Sequence, residues 1–392
     1  MITDGLQFIA LLMFVSGIVI FLESKSKNSG FFKYVPALVV IYFGSMLLST
    51  FKVWDMSAES VSNARTVIKD AILPAMIFLM LLRADLRDIA KLGPRMIITF
   101  FTASITIMIG FVVGFSIFKG QLADNAHQTL GALAGSWIGG TQNMVAVQQA
   151  LGLEGSGMGY TLLIDSIDYS IWIMFLLFLV PFADKFNKWT KADTSKLEHI
   201  DANLTEKFSK ISKVITFQDM FILLSISLAV TAVTNVLGAK LVEVPALAFM
   251  GQTGWAIIIT TILGVICAMT PLAKIPGSPE ISNVMLYMLI GLIASNANFK
   301  ELTEAPAYIL TGFVILIVHG VLMTIIGKLF KLDLFTCGVA SLANIGGVAS
   351  APVLAAAYSQ SLVPIGVLMA LLGVIFGTFF GIGISHFLAF IA

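Results

Sequence analysis

Residues Gly131–Val147 read GALAGSWIGGTQNMVAV, and residues Gly338–Leu354 read GVASLANIGGVASAPVL. Both segments are apolar and rich in small residues, and each carries a Gly-Gly doublet directly after an isoleucine. The doublets are Gly139-Gly140 and Gly346-Gly347. An apolar segment that recurs about half a chain apart is typical of transporters built from internal repeats.

A second pair of segments recurs at nearly the same offset. Arg83–Ile89 (RADLRDI) matches Asn296–Leu302 (NANFKEL) in its order of polar, small, apolar and charged residues. The first pair alone could arise by chance, because small apolar residues dominate both windows. Two pairs in the same order favour an internal duplication.

The composition excludes a soluble domain. Of 392 residues, 58% are hydrophobic and 11% are charged, whereas soluble domains have about 25% charged residues. Crossing about 30 Å of hydrocarbon takes about 20 apolar residues in a helix, and we count about twelve such runs. We therefore predict an all-α polytopic membrane protein with two repeats, residues 1–183 and 217–392, joined by a polar linker, residues 184–216.

Several functional classes lack a signal in the sequence. A net charge of +1 with no extended basic tract gives no argument for a nucleic-acid partner. There is no phosphate loop, HExxH or CxxC motif, so we expect neither an enzyme nor a cofactor. Asp4 replaces the basic start of a signal peptide, and we expect the first apolar run to be retained.

Membrane orientation is left open by the sequence. The basic loops around Lys25 and Arg83–Arg95 would both be cytoplasmic if the N-terminus faces out. With twelve crossings, however, equivalent helices lie six apart, which gives parallel repeats. Inverted repeats need an odd offset, so one element would have to be miscounted.

Both Gly-Gly doublets lie in the middle of segments that should otherwise be smooth helices. Each glycine costs about 1 kcal/mol relative to alanine in a helix, and polar residues flank both doublets. We therefore predict two broken crossing helices, whose unwound carbonyls bind a cation and whose half-helix N-termini attract an anion. The alternative is close packing of helices through small residues.

The strongest single signal is a pair of acids, Asp165 and Asp168, inside the apolar run Gly159–Phe182. A charge at that depth costs about 2.5 to 3.5 kcal/mol on insertion scales. Thr161 and Trp172 extend the same helical face, which should point into the bundle. The equivalent positions in the second repeat are apolar, so the acids belong to one repeat only and suit a coupling-ion site. The alternative is a buried acid neutralised locally.

These features resemble the cation/proton antiporter and anion transporter superfamily. Gly139-Gly140-Thr141 is similar to the Gly-Gly-Thr of bile acid/sodium symporters, and Asp165 and Asp168 occupy the helix that carries the ion-binding aspartates of sodium/proton antiporters. Over most of its length, the chain resembles the YjcL-like bacterial membrane protein family placed in that superfamily. The resemblance implies an elevator motion of a core domain against a scaffold domain, in a homodimer.

The resulting hypothesis is an ion-coupled secondary transporter of a small organic solute in a bacterial inner membrane. Asp165 and Asp168 would bind the metal ion Na⁺, or H⁺ in its place. The remaining predicted ion-coupling residues are Thr141, Gln142, Gly139 and Gly346. The predicted solute-binding residues are Ser136, Asn143, Asn344, Gly347 and Ser350. A Na⁺/H⁺ antiporter and a non-transporting membrane receptor that uses the same site are the alternatives.

Overall fold

The structure is a computed structural model that describes residues 1–25, 31–33, 35, 37–154, 157–193, 214–244, 251–296, 305–359 and 362–392. The described chain is helical apart from a single bridge between Ile2 and Trp54. The helices of the first half are α1 (Gly5–Lys25), α2 (Ala37–Thr50), α3 (Glu59–Leu81), α4 (Leu86–Ile89), α5 (Gly93–Phe118), α6 (Ala126–Gly139), α7 (Thr141–Ala150), α8 (Gly157–Leu179) and α9 (Ala183–Thr190). Those of the second half are α10 (Phe217–Val242), α11 (Gly251–Ala268), α12 (Ser278–Ala294), α13 (Ala305–Leu329), α14 (Leu334–Ile345), α15 (Gly347–Tyr358) and α16 (Val363–Phe390).

Among the described residues, 7 helical segments are long and apolar enough to cross a membrane. They are Gly5–Lys25, Leu86–Gln121, Gly157–Thr190, Phe217–Val242, Gly251–Ala268, Ala305–Leu329 and Val363–Phe390. The other predicted runs form shorter apolar helices, such as α2 and α12, or helices with charges, such as α3 with Arg65 and Lys69. The prediction of an all-α polytopic membrane protein is confirmed.

The helices divide into two groups, within which most of the packing occurs. One group contains α1, α2, α3, α10, α11 and α12. The other contains α5, α6, α7, α8, α13, α14, α15 and α16. The second group holds both glycine doublets and both aspartates, so the candidate site lies in one packing unit.

Glycines allow α16 to lie directly on α6. A Cβ atom on Gly377 would come within 2.5 Å of the Gly139 Cα, and one on Gly381 within 2.8 Å of the Gly131 carbonyl oxygen. A Cβ atom on Gly373 would come closer still, within 2.0 Å of the Ile138 carbonyl oxygen. Small residues four apart let two helix backbones approach, as in membrane helix pairs. The close-packing interpretation of the glycines therefore holds for this helix pair.

Contacts between loops define two opposite ends of the bundle. At the first face, Ile2 pairs with Trp54, whose Nε1 donates to the Ser295 carbonyl at 3.0 Å, and Lys119 Nζ donates to the Ile391 carbonyl at 2.8 Å. At the second face, Arg87 donates to the Met269 carbonyl and Arg95 to the Lys331 carbonyl, both at 2.9 Å. These contacts fix the direction in which each long helix runs.

The predicted linker, residues 184–216, lies at the second face as far as the structure describes it. It begins within α9, where Asn187 Oδ1 accepts from the Leu334 backbone N–H at 2.9 Å. It ends at Thr216, whose side chain caps α10 by accepting from the Asp219 N–H. Residues 194–213 lie outside the described residues.

Candidate functional site

The first glycine doublet forms a tight helical hairpin, which we call hairpin 1 (α6 and α7). Gly140 has φ of +91°, a conformation that side chains rarely allow, and the chain reverses there. A Cβ atom on Gly135 would lie 2.8 Å from Val147 Cγ2, and Gln128 Nε2 donates to the Leu151 carbonyl at 3.1 Å. Because α7 returns along α6, hairpin 1 begins and ends at the first face.

The second doublet forms hairpin 2 (α14 and α15) in the same way. Gly347 has φ of +58° at the reversal. The rings of Phe335 and Tyr358, near the two ends of the hairpin, lie 5.4 Å apart. Asp333 caps α14 by accepting from the Thr336 N–H at 2.7 Å. Hairpin 2 therefore begins and ends at the second face.

The two hairpins meet at their tips. A Cβ atom on Gly347 would lie 3.7 Å from the Gly140 Cα, so the two reversals lie side by side, about one methyl group apart. The sequence predicted broken helices that continue across the bundle, and here the geometry differs. Two consecutive glycines, one of them with positive φ, allow a full reversal instead of a local break.

Asp165 on α8 is bound to hairpin 1. Its Oδ1 accepts from Ser136 Oγ at 3.0 Å and from Trp137 Nε1 at 3.1 Å. Both donors lie in the last turn of α6, just before the reversal. Asp165 is a partly buried residue, and these two hydrogen bonds fix its carboxyl group to the hairpin tip.

Asp168, one turn further along α8, is in a different environment. It is fully buried, and neither carboxyl oxygen has a hydrogen-bond partner among the described residues. A Cβ atom on Gly312 of α13 would lie only 1.8 Å from Asp168 Oδ2, so the carboxyl group packs against a bare helix backbone. Burying a charge without a partner is costly, which favours a neutral acid or an added cation at this position.

The other residues on the predicted α8 face have structural partners. Thr161 Oγ1 donates to the Thr129 carbonyl at 3.1 Å, tying α8 to hairpin 1. Trp172 Nε1 donates to Ser341 Oγ at 2.9 Å, tying α8 to hairpin 2. The face therefore points into the bundle, where it contacts both hairpins and α13.

The structure brings most of the predicted site residues to the hairpin tips. Thr141 and Gln142 open α7, both partly buried, and Gln142 Nε2 donates to Ser282 Oγ of α12 at 3.3 Å. Ser350 Oγ donates to the Gly346 carbonyl at 2.7 Å. The tip residues are Ser136, Gly139, Thr141, Gln142, Gly346, Gly347 and Ser350.

The side chains of the two asparagines predicted to bind solute form hydrogen bonds within the bundle. Asn143 Oδ1 accepts from Thr378 Oγ1 at 2.6 Å, and its Nδ2 donates to the Gly139 carbonyl at 2.7 Å. Asn344 Oδ1 accepts from Ser104 Oγ at 2.7 Å, and its Nδ2 donates to the Ala340 carbonyl at 2.8 Å. Both side chains are buried and fix the hairpins to α16 and α5.

Sequence reasoning missed Tyr169, whose ring lies against the reversal of hairpin 2, since a Cβ atom on Gly346 would come within 2.9 Å of Tyr169 Cε2. Its position four residues after Asp165 places it on the same side of α8, which is the signal that could have identified it. His319, a lone histidine in the apolar helix α13, is a hydrogen-bonded core residue. It is buried, with Thr106 Oγ1 at 2.8 Å from Nδ1 and Ser341 Oγ at 2.8 Å from Nε2.

A cation near Asp165 would have to use oxygen ligands. In the part of the chain that the structure describes, no group of three or more His, Cys, Asp or Glu side chains could hold a metal ion. The oxygens available at the tips are the Asp165 carboxylate, the hydroxyls of Ser136, Thr141 and Ser350, and the Gly346 carbonyl. Oxygen donors suit a hard cation or a proton and do not suit a transition metal.

Comparison with known proteins places the sequence of this chain in a family. The model of the family described as "Protein of unknown function (DUF819)" matches residues 10–391. The chain is 25% identical over 335 residues to "Uncharacterized membrane protein YjcL" of Bacillus subtilis (strain 168), covering 81% of this chain and 83% of that protein. The similarity to YjcL agrees with the resemblance to the YjcL-like family seen in the sequence. The family model extends across both hairpins and both aspartates, so the chain belongs to the DUF819 family.

Proposed function

We propose that the protein is an ion-coupled secondary transporter, with the coupling site at Asp165 and Asp168 and the solute site at the hairpin tips. The observation that carries the proposal is the close approach of Gly140 and Gly347 beside an acid that is hydrogen-bonded to one of the hairpins. Discontinuous helices that meet near the middle of a membrane bundle are where secondary transporters bind substrate and coupling ion. No enzymatic activity or cofactor is part of this proposal.

The hairpins support a different number of membrane crossings from the twelve predicted. If each hairpin returns to its own face, five helices cross in each half: α1, α2, α3, α5 and α8, then α10, α11, α12, α13 and α16. An odd number of crossings inverts the second half relative to the first. We infer two inverted repeats, residues 1–183 and 217–392, with hairpin 1 entering from the first face and hairpin 2 from the second.

The charges assign the two faces to the two sides of the membrane. Among the described loops and helix ends, the first face carries few basic residues, namely Lys52, Lys119 and Lys240. Those of the second face are Lys25, Arg83, Arg87, Lys91, Arg95, Lys185, Lys188, Lys191, Lys274, Lys328 and Lys331. Because loops rich in Lys and Arg stay in the cytoplasm, we assign the second face to the cytoplasm and both chain ends to the outer side. This fits a bacterial inner membrane.

The two helix groups suggest how the site could change sides. Both hairpins, α8 and α16 belong to one group, which would be the moving core. The other group would be the scaffold, and it would also supply the contact for the homodimer expected from the resemblance. The Gln142–Ser282 hydrogen bond joins the core to the scaffold at 3.3 Å, so an elevator motion would have to break it.

A Na⁺/H⁺ antiporter is the second candidate, and a specific observation favours it. The abundance of amide and hydroxyl side chains in the two doublet segments favours solute symport. The structure shows that Asn143 and Asn344 are used in packing, which leaves fewer groups for a solute. Among the described residues, neither Asp168 carboxyl oxygen has a hydrogen-bond partner, as expected for a residue that carries a proton.

Flux measurements in proteoliposomes test the proposal. With a pH-sensitive dye inside, an inward Na⁺ gradient should drive proton exchange in the antiporter, while a symporter should show solute-dependent Na⁺ uptake. Asp165→Asn and Asp168→Asn should abolish either flux, and Asp184→Asn, which removes an acid from α9, should leave it unchanged. Binding without flux under every gradient would contradict transport and favour a receptor.

Thermal unfolding provides an independent readout of the coupling ion. A ligand that binds only the folded state at about 100 times its Kd adds about 2.7 kcal/mol of stability. We expect stabilisation by Na⁺ and not K⁺ if sodium is coupled, and loss of that response in both Asp variants. A response unchanged in both variants would place the ion elsewhere.

A further inference from the structure

A cavity lies in the half of the core that is nearer the second face, away from the hairpin tips. It has a volume of about 250 Å³, and α8, α9, α13 and α14 form its walls. Apolar side chains line most of it, among them Phe175, Leu179, Phe186 and Met323. None of the residues proposed to bind the ion or the solute lines this cavity, so its occupant needs an explanation of its own.

The polar groups that line the cavity already have hydrogen-bond partners. Trp172 Nε1 donates to Ser341 Oγ at 2.9 Å, and His319 Nε2 lies 2.8 Å from the same oxygen. Thr324 Oγ1 donates to the Gly320 carbonyl of its own helix at 2.8 Å. A polar ligand would lose its hydrogen bonds to water without replacing them, and the cavity therefore favours an apolar occupant.

The cavity opens on the outer surface of two membrane-spanning segments. Phe175 of α8 and Thr324 of α13 line it and are exposed. In a membrane, such an opening faces acyl chains instead of water. The cavity is too small for a helix, which is about 10 Å wide with its side chains, and it suits part of one acyl chain.

Lysines lie one turn beyond the cavity, toward the second face. On α13, Lys328 follows the lining residue Thr324 by four positions, and Lys185 of α9 follows the lining residue Phe182 by three. Residues three or four apart share one side of a helix. Lys185 and Lys188, both exposed, add to a positive charge at the end of the cavity.

Helix α9 has the character of a helix that lies in the membrane interface. Its Phe186 lines the cavity, and its Trp189 is exposed. Lys328 Nζ donates to the Trp189 carbonyl and lies 4.9 Å from the centre of the Trp189 ring. Trp residues concentrate at the level of the lipid head groups, which places these lysines at that level too. Asp184 lies on the opposite side of α9 from Phe186.

We propose that this cavity binds an anionic phospholipid, with one acyl chain between α8 and α13 and the phosphate at Lys185, Lys188 and Lys328. The inference goes beyond the proposed transport function and does not depend on it. Basic pockets between membrane helices bind anionic lipid head groups, and a hydrocarbon chain matches a cavity whose polar groups are paired. Because α14 of hairpin 2 forms one wall, a bound chain would contact that hairpin as well as α8 and α13.

Native mass spectrometry of the purified protein in a non-ionic detergent measures this binding. Dioleoyl phosphatidylglycerol would be titrated beside dioleoyl phosphatidylcholine, which has the same chains and no net charge. We expect phosphatidylglycerol to bind at least about fivefold more tightly, since one lysine near an anionic lipid surface contributes about that factor.

Removal of the lysines tests the head-group site. Lys185→Gln combined with Lys188→Gln should remove most of the preference for phosphatidylglycerol and leave the binding of phosphatidylcholine unchanged. Lys274→Gln is the matched control, because Lys274 lies at the same face but between α11 and α12, and this variant should keep the preference.

Filling the cavity tests the place of the acyl chain. Thr324→Trp puts an indole into the opening from α13, and Leu179→Trp does so from α8, which guards against a local defect in either variant. Both should lower the affinity for phosphatidylglycerol to that for phosphatidylcholine. Ile325→Trp should not, because Ile325 is exposed on α13 and does not line the cavity.

Two outcomes would overturn the inference. Equal affinities of the unchanged protein for the two lipids would mean that the lysines recognise no head group. A preference that survives in both Thr324→Trp and Leu179→Trp would place the anionic lipid elsewhere on the surface. Neither outcome involves Asp165 or the hairpin tips, so the proposed transport function would stand or fall by its own flux measurements.

Discussion

At the scale of single residues, Gly312 determines whether Asp168 can occupy its place. A methyl group on Gly312 would approach Asp168 Oδ2 to 1.8 Å and Ile164 Cγ2 to 2.4 Å. Both side chains are buried, so neither can move away into solvent. The absence of a side chain at this one position lets an acid lie within an otherwise apolar helix contact.

We therefore predict that Gly312→Ala lowers the stability of the protein. Overpacking a buried contact costs about 1 to 3 kcal/mol, more than alanine gains over glycine in a helix, which is at most about 1 kcal/mol. Gly17→Ala on α1 is the control, because a Cβ atom there meets nothing within 4 Å. Unfolding temperatures in detergent should fall for Gly312→Ala and stay level or rise for Gly17→Ala.

Equal unfolding temperatures for the two variants would mean that the Asp168 side chain is free to leave its site. A combined Gly312→Ala and Asp168→Ala variant refines the result. It should recover part of the lost stability, because the closest of the two clashes is removed. No recovery would assign the loss to Ile164 alone.

At the scale of elements, the contact between α16 and α6 holds hairpin 1 in place. Gly377 faces the Gly139 backbone at a distance that leaves no room for a side chain. Gly383, further along the same helix, is exposed and has open space around it. The two glycines therefore have the same intrinsic helix propensity and opposite packing environments.

We predict that Gly377→Ala separates α16 from hairpin 1 and that Gly383→Ala does not. The nearest neighbour of a Cβ atom at Gly377 is the Gly139 backbone, which cannot rotate aside, so a loss of about 1 to 3 kcal/mol or more is expected. Thermal unfolding and the yield of monodisperse protein would compare the two. Similar behaviour of both variants would show that the helix contact is looser than the structure indicates.

At the scale of the whole molecule, the direction of the chain through the membrane can be tested. In a background without the two native cysteines, single cysteines would replace Lys119 at the first face and Lys91 and Lys274 at the second. The positive-inside rule assigns Lys91 and Lys274 to the cytoplasm. In intact cells, an impermeant maleimide should label the cysteine at position 119 and spare the other two until the cells are lysed.

Labelling of all three positions from one side would contradict the inverted topology, because it would place both faces together. Labelling of positions 91 and 274 in intact cells, with 119 protected, would keep the topology and reverse the orientation. This second result would leave the hairpins intact and would change only which hairpin opens to the cytoplasm.

The sequence by itself determined the class of the molecule, because burial in lipid demands long apolar helices and composition reveals them directly. It also singled out Asp165, Asp168 and the two doublets, since acids and paired glycines are costly inside a membrane helix. The sequence did not single out Tyr169, because its residue type is ordinary in such a helix. Its contact with Gly346, a residue far away in the chain, appears only in the fold.

Only the tertiary structure decided that each doublet reverses the chain. A crossing helix with a break and a hairpin with two short arms have the same length, apolarity and glycine content. What separates them is the packing of α7 back onto α6 at Gly135 and the approach of α16 at Gly377. The same holds for Asn143 and Asn344, whose side-chain oxygens accept hydrogen bonds from helices distant in sequence. Local spacing cannot reveal such partners.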